Sequence, residues 1–478
     1  MKKRLLLAAA CGAAGTAVAR RVAGFRPPPV HVPDADLDGL DADAAAEHLA
    51  ELVRIPTVST PDPEDADTAA FEKFRQRLTE LYPHTHETLE RDVLGGGALL
   101  YRWRSGTDLP PIVLMAHYDV VPVAGQEWSR DPFSGLIEDG VVHGRGAIDD
   151  KGALVAILEA VESLVAAGFT PARDVYLSFG NDEEVFGVGA QLAVETLTSR
   201  GIRPWAVLDE GGAVVSGIFP GVPGPAAVVG LAEKGVLDVE LITTDAGGHA
   251  SAPVRGGAPA RLARAILRIE DNPFPARLHD VVLGMVDALG RHAPVGYRAV
   301  FAHAAYLRPA LAALLSRASR EANALVRTTV AITRLEGSQA ANVLATRALA
   351  HANIRIALGE TVASTVERLR RVIDDPTVEL QVVSGNDPSP VSRADNEAFA
   401  LVSAAARSVY PDAAVAPYVM VQASDARHFS QVCDSVYRFM PFDLSKGELA
   451  ALHAADERIS VAALHRGAGF YRYLLRHV

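Results

Sequence analysis

Residues 111–123 read PIVLMAHYDVVPV: an apolar run that passes without a break into a histidine and an aspartate two positions apart. A short, continuous apolar run is what a strand buried on both faces requires. Along a strand, residues i and i+2 share a face, so His117 and Asp119 point the same way and can grip one object.

The rhythm repeats outward from this stretch. KGALVAILEAVESLVAAG (151–168) reads as helix, DVYLSFGND (174–182) as strand, AQLAVETLTSRG (190–201) as helix and WAVLDEG (205–211) as strand. Alternation of this kind predicts an α/β sheet covered by helices on both faces, with ligands gathering at the carboxyl ends of its strands. Near residue 235 the pattern changes. VLDVELITTD, the helix APARLARAILRIED, a helical insertion to about residue 325, TTVAITRLEG, ALAHANIRIAL, the helix TVASTVERLRRVIDD and TVELQVVS form two strand-helix-strand units, as in a small α+β domain. The expected organisation is therefore a signal peptide or anchor over 1–25, a proline-rich linker over 26–40, a main domain over 41–234 and 387–478, and an inserted domain over 235–386.

Length and composition agree. A chain of 478 residues exceeds what one core usually covers. Hydrophobic residues make up 49% and charged residues 22%, a globular balance. Forty-six basic against 58 acidic residues give a formal charge of −12, which repels phosphate backbones and argues against a nucleic-acid partner. The N-terminus MKKRLLLAAACGAAGTAVARR has a basic start, an apolar stretch and the small-x-small pattern Ala17-Val18-Ala19, as an export signal does. An uncleaved anchor is the alternative, and both put the folded part outside the cytoplasm. The two cysteines are Cys11 in that leader and Cys433, so the mature chain has no intramolecular disulfide and no cysteine-ligated zinc site.

Five places put ligand-type residues at strand ends or helix starts. His117-x-Asp119 is the first. In GRGAIDDKG (144–152), Asp149 and Asp150 open a helix; helix capping is the plain reading, but a carboxylate there also suits bridging two cations, with Lys151 to balance charge. In GNDEEVFG (180–187), Asp182, Glu183 and Glu184 follow a buried strand, where they repel one another unless a cation compensates. Adjacent glutamates allow one to bind metal while the other takes a proton from water. VLDEGG (207–212) brings Asp209 and Glu210, with glycines that permit close backbone approach, and His453 lies far off in ALHAADERIS. Two histidines and several carboxylates fit a dinuclear zinc site, with Asp119 orienting His117.

HYDVVPV, GRGAIDDKG, DEEVFG, LDEGG and GGHASAP, in that order, resemble the zinc-dependent M20 metallopeptidase family, in the branch of Gly-X carboxypeptidases, aminoacylase and secreted N-fatty-acyl-amino-acid hydrolases. The resemblance runs from about residue 45 to the C-terminus. It implies a zinc-peptidase catalytic domain with a mixed sheet and an inserted ferredoxin-like lid and dimerisation domain. It makes His117 a ligand of one zinc ion, Asp149 the bridging carboxylate, Glu183 the general base, and Glu184 and His453 ligands of the second zinc ion, two Zn2+ per subunit. The acidic ligand of the fourth motif aligns with Asp209 or Glu210. His249 resembles the histidine that stabilises the oxyanion, often from the neighbouring subunit of a homodimer, and Asn342 and Arg355 resemble substrate-side residues. Arg355 is suited to hold a free carboxylate bidentately, or is a surface strand charge. Ala341 stands where relatives often have proline. The implied reaction is hydrolysis of an amide next to a free carboxylate in a small-molecule substrate, a Gly-X-type dipeptide or an N-acyl amino acid. The alternatives are a deacetylase or desuccinylase of the same family and a metal-binding homologue without catalysis.

Overall fold

The computed structural model describes residues 19–219 and 221–478. Most of the expected leader lies outside them. Residues 26–40 run without helix or strand, and among the described residues no helix is long and apolar enough to cross a membrane.

The strands that position the site are β1 (Glu90–Leu94), β2 (Ala98–Trp103), β3 (Ile112–His117), β4 (Val175–Gly180), β5 (Ala206–Val215), β6 (Ala226–Glu233), β7 (Gly235–Thr244), β8 (Thr329–Glu336), β9 (Arg347–Ile356), β10 (Glu379–Asn386), β11 (Ala414–Met420) and β12 (Val436–Leu444). Eight form one mixed sheet in the order β1-β2-β4-β3-β5-β12-β6-β11. β3 is parallel to both β4 and β5, and β5 to β12, whereas β1, β2 and β4 pair antiparallel. Both faces of β3 are covered. Leu114 and Ala116 join the main core, and Val113 and Met115 join a second cluster on the opposite face with Ala193, Leu197 and Phe429. The helix Lys151–Ala166 is buried over most of its surface between the sheet and the C-terminal helix Val461–His477, which explains its nearly unbroken apolar sequence.

β7, β8, β9 and β10 form a separate antiparallel sheet in the order β8-β9-β7-β10. In chain order that is strand 2-3-1-4, the ferredoxin-like arrangement. One face packs on the helices Ala258–Asp271 and Val362–Ile373, with a core of its own built on Leu237, Val239, Leu241, Ala350, Ile354 and Leu369.

The helical insertion behaves differently from the rest of the expected 235–386 unit. Leu278, Val282, Met285, Leu289, Leu311 and Val326 join the core of the large sheet, not that of the small one. The helix Asp280–Gly290 lies on β11, where Gly284 closes against Pro417. β11 is an edge strand whose apolar face needs a cover, and this helix supplies it.

Candidate metal centre

Asp149 lies at the middle of the cluster. Its Oδ1 is 3.1 Å from His117 Nε2 and its Oδ2 is 3.1 Å from His453 Nε2. His453 Nε2 is also 3.1 Å from Glu184 Oε2, and His117 Nε2 is 3.7 Å from Glu210 Oε2. Donor atoms of His117, Asp149 and Glu184 converge within 4.8 Å, as do those of His117, Asp150 and Glu210. Asp150 is committed in part, because its Oδ2 accepts the His117 backbone N–H at 3.3 Å. Among the described residues, Asp149 is the one carboxylate within 4 Å of both His117 Nε2 and His453 Nε2.

The sheet delivers these groups. His117 ends β3, and Glu183 and Glu184 follow β4, its parallel neighbour, so both clusters emerge at the same edge. Asp119 ties them: its Oδ1 accepts the Glu183 N–H at 3.2 Å, its Oδ2 accepts the Glu184 N–H at 3.1 Å, and the same carboxylate lies 3.3 Å from His117 Nδ1. It therefore orients the imidazole and the acidic turn together.

Of the acidic pair in β5, Glu210 turns to His117, while Asp209 Oδ2 accepts the Ala426 N–H at 2.8 Å, which assigns it to the loop after β11. The strand also runs on to Val215 instead of ending at this pair. Gly212 allows that: a Cβ there would stand 1.9 Å from Val228 O. Lys151 does not balance the charge of the aspartates. Its Nζ donates to Leu52 O and Ile55 O at 3.0 and 2.8 Å, tying the end of the helix Ala42–Val53 and the residues just after it to the start of its own helix. Burial lowers its pKa to about 7.

Electrostatics follow from packing so many acids together. Burial, then repulsion from Asp149, raises Glu210 to about 8. Burial likewise holds the Glu183 carboxyl well above the ordinary range, and Asp150 with it. Burial works in the same direction on Asp149, but the hydrogen bonds of His117 and His453 outweigh it and keep that carboxyl low. The hydrogen bonds with Asp149 and Glu184 raise His453 to about 10. Such a site gains from added positive charge. Glu184 Oε1 and Asp150 Oδ1 are buried, and among the described residues neither has a hydrogen-bond partner. Orphaned carboxylate oxygens beside imidazole nitrogens are the donor set a divalent ion of zinc type takes.

One buried pair escapes sequence reading altogether. Arg145 and Glu457, 1% and 0% exposed, bond at 2.7 Å. The Glu457 carboxylate also accepts the backbone N–H groups of Gly146, Ile148 and Asp149, while Arg145 Nη2 donates to Ala454 O and Gln126 Oε1. Gln126 Nε2 in turn donates to the carbonyl of His453, whose backbone φ is +57°. The pair thus braces the turn carrying Asp149 and the loop carrying His453. The expected result for Glu457→Ala is a loss of about 3–5 kcal/mol in denaturant unfolding, since it leaves a guanidinium buried without a partner. An unchanged midpoint would contradict this.

Of the remaining predicted residues, Arg355 lies on the small sheet, while His249 belongs to a separate two-stranded pairing and Asn342 to the turn beside it. Arg355 pairs with Val236, beside the Glu233–Lys234 junction to the large sheet. His249 pairs with Val343, next to Asn342, beyond the far end where Thr244 meets Arg347. Eight strand steps at ~3.3 Å each separate Val236 from Thr244, about 26 Å. His249 is exposed and its Nδ1 lies 2.7 Å from Ser251 Oγ. Within one chain, then, the structure brings together His117, Asp119, Asp149, Glu183, Glu184, Glu210 and His453, and leaves His249 and Asn342 apart.

Imidazoles and carboxylates converging at strand ends, with a buried carboxyl beside them, define a metallohydrolase. The chain belongs to peptidase family M20/M25/M40, which matches residues 113–477. It is 34% identical to the probable carboxypeptidase S-like 2 of Dictyostelium discoideum, over 90% of this chain and 84% of that one. It is 32% identical to the human N-fatty-acyl-amino acid synthase/hydrolase PM20D1, over 91% and 88%. Among solved structures, the M20 family metallo-carboxypeptidase Sso-CP2 from Sulfolobus solfataricus superposes with a TM-score of 0.68 at 18% identity, covering 90% of this chain and 98% of that one. Human carnosine dipeptidase 1 gives 0.62 at 16% identity, with 91% of this chain covered. The chain is thus an enzyme of this family, and the family implies a divalent metal.

Proposed function

We propose that the protein is a dizinc hydrolase of amides adjacent to a free carboxylate, with N-acyl amino acids and Gly-X-type dipeptides as its substrate class. The observation that carries this is the two-sided contact of Asp149 with His117 and His453. One ion would be held by His117, Asp149 and Glu210, the other by Asp149, Glu184 and His453. When bound, the ions polarise the substrate carbonyl and acidify water. Glu183, buried and with a raised pKa, receives the proton of the attacking water and passes it to the leaving nitrogen. Asp119 holds the backbone of Glu183 and the ring of His117 in place during both transfers.

Arg355, half-buried and next to the junction of the two sheets, is suited to bind the substrate carboxylate from the same chain. The distance along the small sheet argues that His249 and Asn342 serve the site of a second copy, which makes the working unit a homodimer with the small sheet as its lid. The relatives named as N-fatty-acyl-amino acid synthase/hydrolase and as carboxypeptidases support the substrate class. The leader supports an exported enzyme.

The test is hydrolysis across a panel of acyl amino acids and glycyl dipeptides before and after chelation. Activity on at least one class that is lost with chelator and regained with zinc is the expected outcome; hydrolysis indifferent to chelator would defeat the proposal. Metal content also separates the acidic pair of β5. Glu210→Ala is expected to lose bound metal, whereas Asp209→Ala keeps it and loosens the loop at Ala426; the reverse pattern would exchange their roles.

A further inference from the structure

Between Asp287 and Glu321 there is no acidic residue, while Arg291, Arg298, Arg308, Arg317 and Arg320 all fall in that interval, in a chain of charge −12. Arg291 and Arg308 are paired with Asp287 and Asp280. Among the described residues, Arg298, Arg317 and Arg320 make no ion pair.

Large apolar side chains are exposed in the same interval. Val295 is 63% exposed, Tyr297 52%, Tyr306 74% and Leu314 61%, with Val300 and Leu307 also at the surface. The helix Val295–Phe301 buries no residue. Single exposed apolar residues are ordinary, but a group of them within twenty positions, interleaved with cations, marks a surface that meets something.

A second observation says what. The apolar run of the N-terminal sequence ends at Ala19, and the residues that follow rest on this interval. Arg21 Nε donates to Ala302 O at 2.6 Å and its guanidinium lies 5.2 Å from the Tyr306 ring centre, while Phe25 is buried with the Arg291 guanidinium 4.8 Å from its ring. The residues that directly follow a sequence with the composition of a membrane signal therefore rest against an interval rich in tyrosine, valine and arginine. Apolar side chains for the headgroup boundary, tyrosines at its level and arginines for anionic lipid are the components of an interfacial membrane contact.

We propose that the face spanning residues 295–320 docks on an anionic phospholipid surface, with Tyr297, Val300 and Tyr306 entering the headgroup region and Arg317 and Arg320 meeting the lipid charges. The docking is independent of the catalytic reading; if that reading holds, it also brings the site to where amphiphilic acyl amino acids collect.

The test is cosedimentation of the full chain with phosphatidylcholine vesicles, with and without phosphatidylserine. Two variants accompany it, Tyr297→Ser/Val300→Ser/Tyr306→Ser and Arg317→Glu/Arg320→Glu, neither touching the metal cluster. Wild type is expected to bind the phosphatidylserine vesicles about tenfold more strongly than the neutral ones, with the difference lost at high salt. Each variant is expected to lose about tenfold while its thermal unfolding is unchanged. The N-terminal segment is common to all three chains, so the loss reports the face itself. Equal binding to both vesicle types, or variants that bind like wild type, would overturn the proposal. A triple variant that sediments as a smaller oligomer while keeping its vesicle binding would also overturn it, because a second copy would then be what covers the face.

Discussion

Replacing Glu183 by glutamine is expected to reduce turnover by about 10³-fold while the bound metal is retained. The reason is positional. Glu183 is buried beside His117, Glu184 and Glu210, its backbone N–H is fixed by Asp119 Oδ1 at 3.2 Å, and burial pushes its carboxyl above the ordinary range. Glutamine fills the same volume and accepts no proton. Glu184→Gln acts on a different quantity: its Oε2 faces His453, so the expected loss there is in metal content first and in rate as a consequence. Steady-state rates together with elemental analysis of both variants separate the two roles. A Glu183→Gln enzyme with the wild-type rate would remove the base assignment.

The second large effect concerns His249. His249→Ala is expected to be nearly inactive although, among the described residues, His249 has no bond to the metal cluster of its own chain and belongs to neither group of converging donors. Mixed with Glu183→Gln in equal amounts and allowed to exchange subunits, it is expected to recover about a quarter of the wild-type rate. In the mixed dimer one site pairs an intact Glu183 with the partner chain's intact histidine, and the other has neither. Half of the dimers are mixed and each carries one working site. Demonstrated exchange without recovery would show that His249 does not act across subunits.

The alternation that marks the large sheet was readable because β3 and β4 are buried on both faces and keep unbroken apolar runs. β1 and β2 were not recognised: ERDVL has only its final Val93 and Leu94 as apolar residues, and the strand is largely exposed. The assignment of the helix Asp280–Gly290 to the large core was equally out of reach, since periodicity shows that a helix has an apolar face but not which sheet it covers. At the site, residue type and order pick out the residues that cluster, but alternation alone leaves Asp209 and Glu210 equivalent; the Ala426 N–H bonded to Asp209 distinguishes them. Adjacency misled for Lys151, whose four-carbon stem reaches past the aspartates to the carbonyls of Leu52 and Ile55. Arg145 and Glu457 are 312 positions apart, so no local pattern links them.

The central claim is that two divalent ions share Asp149. Anomalous diffraction from crystals grown with zinc tests it most directly. Two peaks roughly 3.5–4 Å apart are predicted, one beside His117 and one beside His453, with an Asp149 oxygen on each. A single fully occupied ion, or two ions that Asp149 does not bridge, would contradict the account.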